Sequence, residues 1–272
     1  PFELVLVERN GGSTVLQGEA RNYHHPRFSP DGRRVVLDIT EGDARDLWIL
    51  DLAGKTMSRL TVGEVANDPY WSPDGRRVAY TVARGLGRGV FTRLADGSGA
   101  AESLLVDGVD HSSGSWSPDG RTLVVSTSLS AGLWLVPAAP GGRAARVEGS
   151  RSSEGHPAFS PDGRWIAYVS DESGRQEVYV RPFPGAGGRI QVSASGGTEP
   201  AWSRDGREVF YREDVGSGSR LAVADVRRAP AFVVERRTPL FDVSGYVPSE
   251  DHANYDVSPD GRRFVMVHSP EA

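Results

Sequence analysis

The chain has 272 residues, including 33 glycines and 18 prolines, and it contains no cysteine. The lack of cysteine excludes disulfides, thiolate metal sites and cysteine nucleophiles, and the many glycines and prolines favour an all-β chain with numerous turns. A formal net charge of −5 without a basic stripe argues against a nucleic-acid partner, no apolar run approaches the length of a membrane span, and the opening residues lack the basic start of a signal peptide.

A four-residue motif, Ser-Pro-Asp-Gly, recurs along the chain. Its copies begin at Ser29, Ser72, Ser117, Ser160, Ser203 and Ser258, with arginine in place of proline in the fifth. The first four intervals are 43 to 45 residues long and the last is 55. The regular interval matches the roughly 40 to 45 residues of a four-stranded propeller blade. We place the insertion in the last interval at "VRRAPAFVVERRTPLF", residues 226–241.

The chemistry of the motif predicts a turn that joins two antiparallel strands. Proline presets φ at the second turn position, serine can bond back to the backbone from the first, and glycine accepts a positive φ at the fourth. Apolar segments follow in order, such as "RVAYTV", then "GVFTRL", then "ESLLV". With the short segment before each motif, every repeat therefore has four predicted strands.

The two ends of the chain complement one another. "ELVLVERN" and "STVLQGE" precede the first repeat as a third and a fourth strand, and the last repeat stops after its second strand, "RRFVMVH". We therefore predict a single domain over residues 1–272, an all-β six-bladed propeller with four antiparallel strands per blade. Two N-terminal and two C-terminal strands close the ring by pairing 3–8 with 263–268, which removes exposed sheet edges.

At these residues the chain resembles the six-bladed propellers of the TolB type, over essentially its whole length. The segments "GDARDLWILDL", "AFSPDGRWIAYVSDESGRQEVYVRPFPG" and "NYDVSPDGRRFVMV" also resemble the propeller that follows the kinase and membrane span of bacterial membrane-anchored serine/threonine kinases. The chain has no glycine-rich phosphate loop, His-Arg-Asp or Asp-Phe-Gly triplet, so no kinase activity is assigned to it. This resemblance implies an extracytoplasmic sensor or interaction domain, with a membrane tether elsewhere in the full-length protein.

The residue four positions before the motif serine is polar in every repeat. In chain order these residues are His25, Asp68, Ser113, His156, Glu199 and Asn254. If the first strand of each blade is innermost, they form a ligand-binding ring at one mouth of the axial channel. His25, Asp68, His156 and Glu199 are candidate ligands for a divalent metal ion there, since imidazole and carboxylate groups bind such ions. A hydrated polar mouth and an organic ligand without metal are the alternatives.

Histidines gather in front of the motifs. Five of the six lie within seven residues before a motif: His24, His25, His111, His156 and His252. We count His24 and His111 as peripheral to the ring, together with Asp171 and Arg175 of the loop "SDESGRQ", which would face the same side; such mixed charges are also typical of solvated loops. The aromatic residues directly before the motifs are predicted to pack between blades.

The preferred function is a noncatalytic module that binds a protein, peptide or small-molecule ligand, acting as a monomer. No Gly-x-Ser-x-Gly nucleophile elbow is present, so triad hydrolysis is not expected. The alternative is a metal-dependent, lactonase-like hydrolase at the channel mouth, and a third hypothesis is a scaffold that docks other proteins.

Overall fold

The structure, a computed structural model, describes residues 1–83, 88–109, 111–127, 132–150, 154–185, 187–250 and 252–270. Within these ranges the chain forms strands and turns without any helix, and the all-β prediction is confirmed. Accordingly, none of the described segments is a helix long and apolar enough to cross a bilayer.

The described strands pair into units of four antiparallel strands, with one motif turn between the first two strands of each unit. The first complete unit comprises the second half of β2 (Ser13–Phe28), β3 (Arg34–Glu41), β4 (Ala44–Asp51) and β5 (Thr56–Arg59). The second comprises β6 (Ala66–Trp71), β7 (Arg77–Val82), β8 (Gly89–Leu94) and β9 (Glu102–Val106). The third comprises β10 (His111–Trp116), β11 (Thr122–Thr127), β12 (Leu133–Pro137) and β13 (Ala145–Arg146).

The remaining units continue the same order. The fourth comprises β14 (Glu154–Phe159), β15 (Trp165–Ser170), β16 (Glu177–Pro182) and β17 (Ile190–Gln191). The fifth comprises β18 (Thr198–Trp202), β19 (Glu208–Val215), β20 (Gly218–Arg227) and β21 (Val233–Asp242). The last comprises β22 (Tyr255–Val257), β23 (Arg263–His268), β1 (Phe2–Glu8) and the first half of β2.

The chain ends close the ring through β1 and β23. These strands pair antiparallel in continuous register from Glu3 opposite His268 to Glu8 opposite Arg263. This is the pairing predicted from the sequence, and it is confirmed. The innermost strands β2, β6, β10, β14, β18 and β22 each contact the next, and β22 contacts β2 again.

The apolar core lies between neighbouring units. Each described core cluster joins residues of two adjacent units, and the aromatic residue before a motif belongs to the cluster shared with the preceding unit, as Trp71 does. The indole Nε1–H of Trp71 donates to the carbonyl of Arg27 at 3.0 Å, and that of Trp202 donates to Ala158 at 3.1 Å. The predicted packing of these aromatics between blades is confirmed.

The motif turns share one hydrogen-bond pattern. In every copy the serine hydroxyl donates to the aspartate Oδ1 at 2.5–2.7 Å, and that oxygen also accepts the backbone N–H two residues later. The glycine adopts a positive φ, +69° at Gly32, where an added Cβ would lie 3.1 Å from Pro259 of the neighbouring turn. Only glycine satisfies both demands there.

The extra residues of the last interval occupy two places. Strands β20 and β21 have ten residues each, whereas β16 and β17 in the preceding unit have six and two. The connection from β21 to β22 is also long and crosses the axis. We call residues 247–250 and 252–254 of this connection the cap segment.

Candidate functional site

The polar residue four places before the motif serine lies at a bulge in the innermost strand. The backbone φ is positive at His25 (51°), Asp68 (51°), His156 (52°) and Glu199 (54°), and the register of β2, β6, β14 and β18 shifts at these positions. Proline follows each of the four, so the unpaired bulge position lacks an N–H that would need a partner. The bulge thus repeats a strained conformation at the axis.

His25 lies in a buried chain of charges within the first unit. Its Nδ1–H donates a short hydrogen bond to Asp38 Oδ1, and Arg45 Nε donates to Asp38 Oδ2 at 2.5 Å. Burial would raise the pKa of Asp38, but its interactions with His25 and with the Arg45 guanidinium hold that pKa below its ordinary value. The Asp38 carboxylate is therefore ionised. The other ring nitrogen of His25, Nε2, points away from Asp38 and lies 3.2 Å from Asp68 Oδ1.

Asp68 connects the first two units to the cap segment. Its Oδ2 accepts hydrogen bonds from Thr81 Oγ1 (3.2 Å) and Asn67 Nδ2 (3.3 Å). Its Oδ1 lies 3.6 Å from Nδ1 of His252, whose imidazole packs edge-on against His25. Burial, together with nearby positive charge, lowers the pKa of His252 well below its ordinary value, so this imidazole is neutral.

Glu199 and Asn254 hold the cap segment over this end of the axis. Glu199 accepts the backbone N–H of Ser249 (3.2 Å) and of Asn254 (2.7 Å), and it is paired with buried Arg212 at 3.5 Å. The Asn254 side chain accepts the N–H of His25 at 2.9 Å. Glu199 and Asn254 are therefore engaged in contacts that hold the cap segment and Arg212 in place.

The other predicted residues are dispersed. His156 Nε2–H donates to the Glu250 carbonyl at 2.6 Å, and the Ser113 side chain lies outside the described part of the chain. His111 is bonded to Asp107, Arg175 to Glu177, and Asp171 is exposed in its loop. His24 packs near Phe2, and burial lowers its pKa to about 4.

The structure thus brings together His25 and Asp68 but adds His252, and it buries the ring that the sequence placed at an open mouth. His25, Asp68, His156, Glu199 and Asn254 are each at most 6% exposed. The sequence analysis noted His252 among the histidines before the motifs without placing it in the ring, and it did not select Asp38. A usable signal exists: the ninth residue after the motif serine is polar in four repeats, namely Asp38, Thr81, Ser126 and Arg212.

A funnel opens on the side of the motif turns, and one residue of the polar ring, His156, lies in its wall. It has a volume of about 510 Å³ and is walled by the aromatic residues that precede the motifs. The motif prolines form most of its rim: Pro30, Pro73, Pro118, Pro161 and Pro259. Arg204 takes the place of the proline in the fifth repeat.

Arg204 is the exposed charge of this rim. It forms no hydrogen bond or ion pair with any residue that the structure describes, although its charge acts on Asp256 in the funnel wall. Asp256 Oδ2 accepts the Phe28 N–H at 2.8 Å, and burial raises the pKa of Asp256. The funnel therefore combines aromatic and proline surface with one available guanidinium.

Comparison with known proteins gives the family. The model of the TolB beta propeller domain matches residues 10–138 and 111–234, and the chain belongs to this family. No curated protein matches the sequence.

Solved structures share the fold. A protein assigned as TolB from Agrobacterium tumefaciens has a TM-score of 0.79 at 22% identity, with 98% of both chains covered. TolB from Acinetobacter baumannii has a TM-score of 0.69 at 16% identity, covering 99% of this chain and 63% of that one. Oligogalacturonate lyase from Vibrio parahaemolyticus has a TM-score of 0.62 at 15% identity, covering 96% of this chain and 76% of the lyase.

Proposed function

We propose that this propeller is a noncatalytic binding module that takes a polypeptide segment of its partner into the axial funnel. The observation that carries the proposal is the funnel of about 510 Å³, whose wall of aromatic side chains and rim of prolines suit apolar anchors. Membership of the TolB propeller family supports a binding role.

The rim charge specifies the partner further. Arg204 is exposed and has no ion-pair partner among the described residues, so a carboxylate of the bound segment would give it one. Arginine suits this role because its planar guanidinium can bind a carboxylate through two parallel hydrogen bonds. We therefore propose an acidic peptide segment with an aromatic or aliphatic anchor.

Burial of the axial histidines favours binding over hydrolysis. His25 and Asp68, the residues with metal-ligand chemistry, lie beneath the cap segment and are almost fully buried. The funnel, in contrast, opens to solvent.

The proposed setting is extracytoplasmic, as the sensor or interaction domain of a membrane-anchored bacterial signalling protein. The family membership and the TolB structures are compatible with this location. The resemblance of the segments around residues 42–52 and 158–185 to kinase-associated propellers supports the signalling context.

Panning a phage library of random dodecapeptides against the purified propeller tests the proposal. We expect enriched peptides to contain Asp or Glu beside an aromatic or aliphatic residue and to change the tryptophan fluorescence, since Trp71, Trp116 and Trp202 line the funnel. Arg204→Glu should weaken binding by about tenfold or more.

Arg207→Glu is the matched control, because Arg207 is an exposed arginine next to the same turn but outside the funnel. It should leave peptide affinity nearly unchanged. Failure to enrich any peptide, or equal affinity of parent and Arg204→Glu, would refute the funnel as the binding site. Peptides that bind Arg204→Glu and Arg207→Glu equally well would instead support a scaffold that docks other proteins through the outer faces of the propeller.

A further inference from the structure

We propose that His25, Asp68 and His252 bind one divalent transition-metal ion of the Zn²⁺ class, which fastens the cap segment to the first two units of the propeller. The proposal is independent of the funnel. It rests on three side chains whose ligand atoms all lie within 4.8 Å of one another in the buried end of the axis.

Three buried polar atoms meet at this point without a hydrogen-bond partner among the described residues: His25 Nε2, Asp68 Oδ1 and His252 Nε2. A buried polar atom without a partner costs about 1–3 kcal/mol. One unpartnered polar atom would only lower the stability of its own surroundings. Three such atoms that converge from β2, β6 and the cap segment indicate that they share a common partner. Two imidazoles and a carboxylate together form a donor set suited to a divalent transition metal.

The spacing fits tetrahedral coordination. Bonds of about 2.0–2.1 Å from a tetrahedral ion place neighbouring ligand atoms about 3.3 Å apart. Asp68 Oδ1 lies 3.2 Å from His25 Nε2, and His252 contributes a ligand atom within 4.8 Å of the other two. Three protein ligands leave one coordination position for a further ligand.

The surrounding contacts fix the ligands for this role. Asp38 accepts the Nδ1–H of His25, which leaves the lone pair of Nε2 free to bind, the usual arrangement behind a metal-bound histidine. Thr81 and Asn67 occupy Asp68 Oδ2 and leave Oδ1 for the ion. Ser249 Oγ lies 2.9 Å from His252 Nδ1 and orients that ring.

The charged neighbours leave room for a cation at this point. Arg45 pairs with Asp38, whereas the ion-pair partners of Asp68 among the described residues are the imidazoles of His25 and His252.

The ion would tie three parts of the chain that are distant in sequence. His25 belongs to β2, Asp68 to β6, and His252 to the connection between β21 and β22. Metal binding would therefore stabilise the closed end of the axis, and metal removal would loosen the cap segment.

Calorimetric titration of ZnCl₂ into protein treated with EDTA and then dialysed is the test, with metal content measured by mass spectrometry. We expect one zinc per chain and a higher melting temperature with zinc. His252→Ala, which changes only the cap segment, and Asp68→Asn, which keeps the side-chain shape, should each lower zinc affinity about 100-fold or more, since loss of a supporting contact alone costs 10–100-fold.

His111→Ala is the matched control, because His111 is also buried and bonded to a carboxylate but lies outside the cluster. It should bind zinc like the parent. Absence of zinc binding by the parent would overturn the proposal. Unchanged zinc binding by His252→Ala would also overturn it, because the ion would then be elsewhere.

Discussion

Deleting residues 1–18 should unfold or aggregate the protein, because it removes β1 and the first half of β2 from the last unit. The side chains of Leu4, Val5 and Val7 are 0%, 2% and 0% exposed. Burying each contributes about 1.5–3 kcal/mol, or about 5–9 kcal/mol for the three. A whole domain has a net stability of only about 5–15 kcal/mol. The deletion also leaves β23 as an open edge.

A circular permutant is the matched control for this deletion. Placing residues 1–18 after residue 272 keeps every strand segment, with the new chain ends inside β2 between residues 18 and 19. The new connection can be short because Glu3 lies opposite His268. The parent, the deletion variant and the permutant are compared by thermal melts followed by circular dichroism. Light scattering after size exclusion detects aggregation. We expect a parent-like cooperative melt for the permutant and none for the deletion. A deletion variant that melts cooperatively at the parent temperature would show that β1 does not close the ring.

Three further outcomes follow from the motif turns. Arg204→Pro restores the proline of the other repeats, so it should stabilise the fold by about 0.4–1 kcal/mol and raise the melting temperature by roughly 1–2 °C. The same change should weaken the binding of acidic peptides. A lower melting temperature would contradict the turn assignment. Trp202→Phe removes the hydrogen bond to the Ala158 carbonyl and should cost about 1–3 kcal/mol in guanidinium unfolding, which an unchanged midpoint would contradict. The serine hydroxyl and a backbone N–H lower the pKa of the motif carboxylates Asp31, Asp74, Asp119 and Asp260. Their contribution is therefore present above the unfolded pKa of about 3.9 and is lost as the pH falls through the lowered folded pKa values, so the unfolding midpoint should drop below about pH 4. A flat profile below about pH 4 would exclude this contribution.

Local chemistry made the framework predictable from sequence. Ser-Pro-Asp-Gly encodes its own turn, because the serine, aspartate and glycine each meet a local demand of the same four residues. Alternating apolar residues define the strands on either side. The pairing of 3–8 with 263–268 followed from counting strands, since an incomplete unit at each end requires the other.

The site was less predictable because it depends on contacts between distant segments. The ring positions were found by aligning repeats, but the partner of His25 and Asp68 is His252, which belongs to a connection without an equivalent in the other units. Burial of the ring follows from the path of that connection across the axis. No periodicity in the sequence encodes this path.

The repeat therefore separates structural from functional residues. A side chain present in every unit, such as the motif aspartate, meets a demand that every unit shares, and it stabilises the ring. A residue that departs from the repeat meets no such demand. Arg204 replaces a proline that would favour the turn, and Asp38 is a carboxylate at a position where the other repeats have Thr, Ser, Val or Arg. Each of these two residues is unfavourable for the local stability of its own repeat. Both lie beside the axis, Arg204 at the open funnel and Asp38 behind the closed histidine cluster. We propose that the two ends of one axis are specialised differently, the open end for a ligand from solution and the closed end for holding the chain's own cap segment in place.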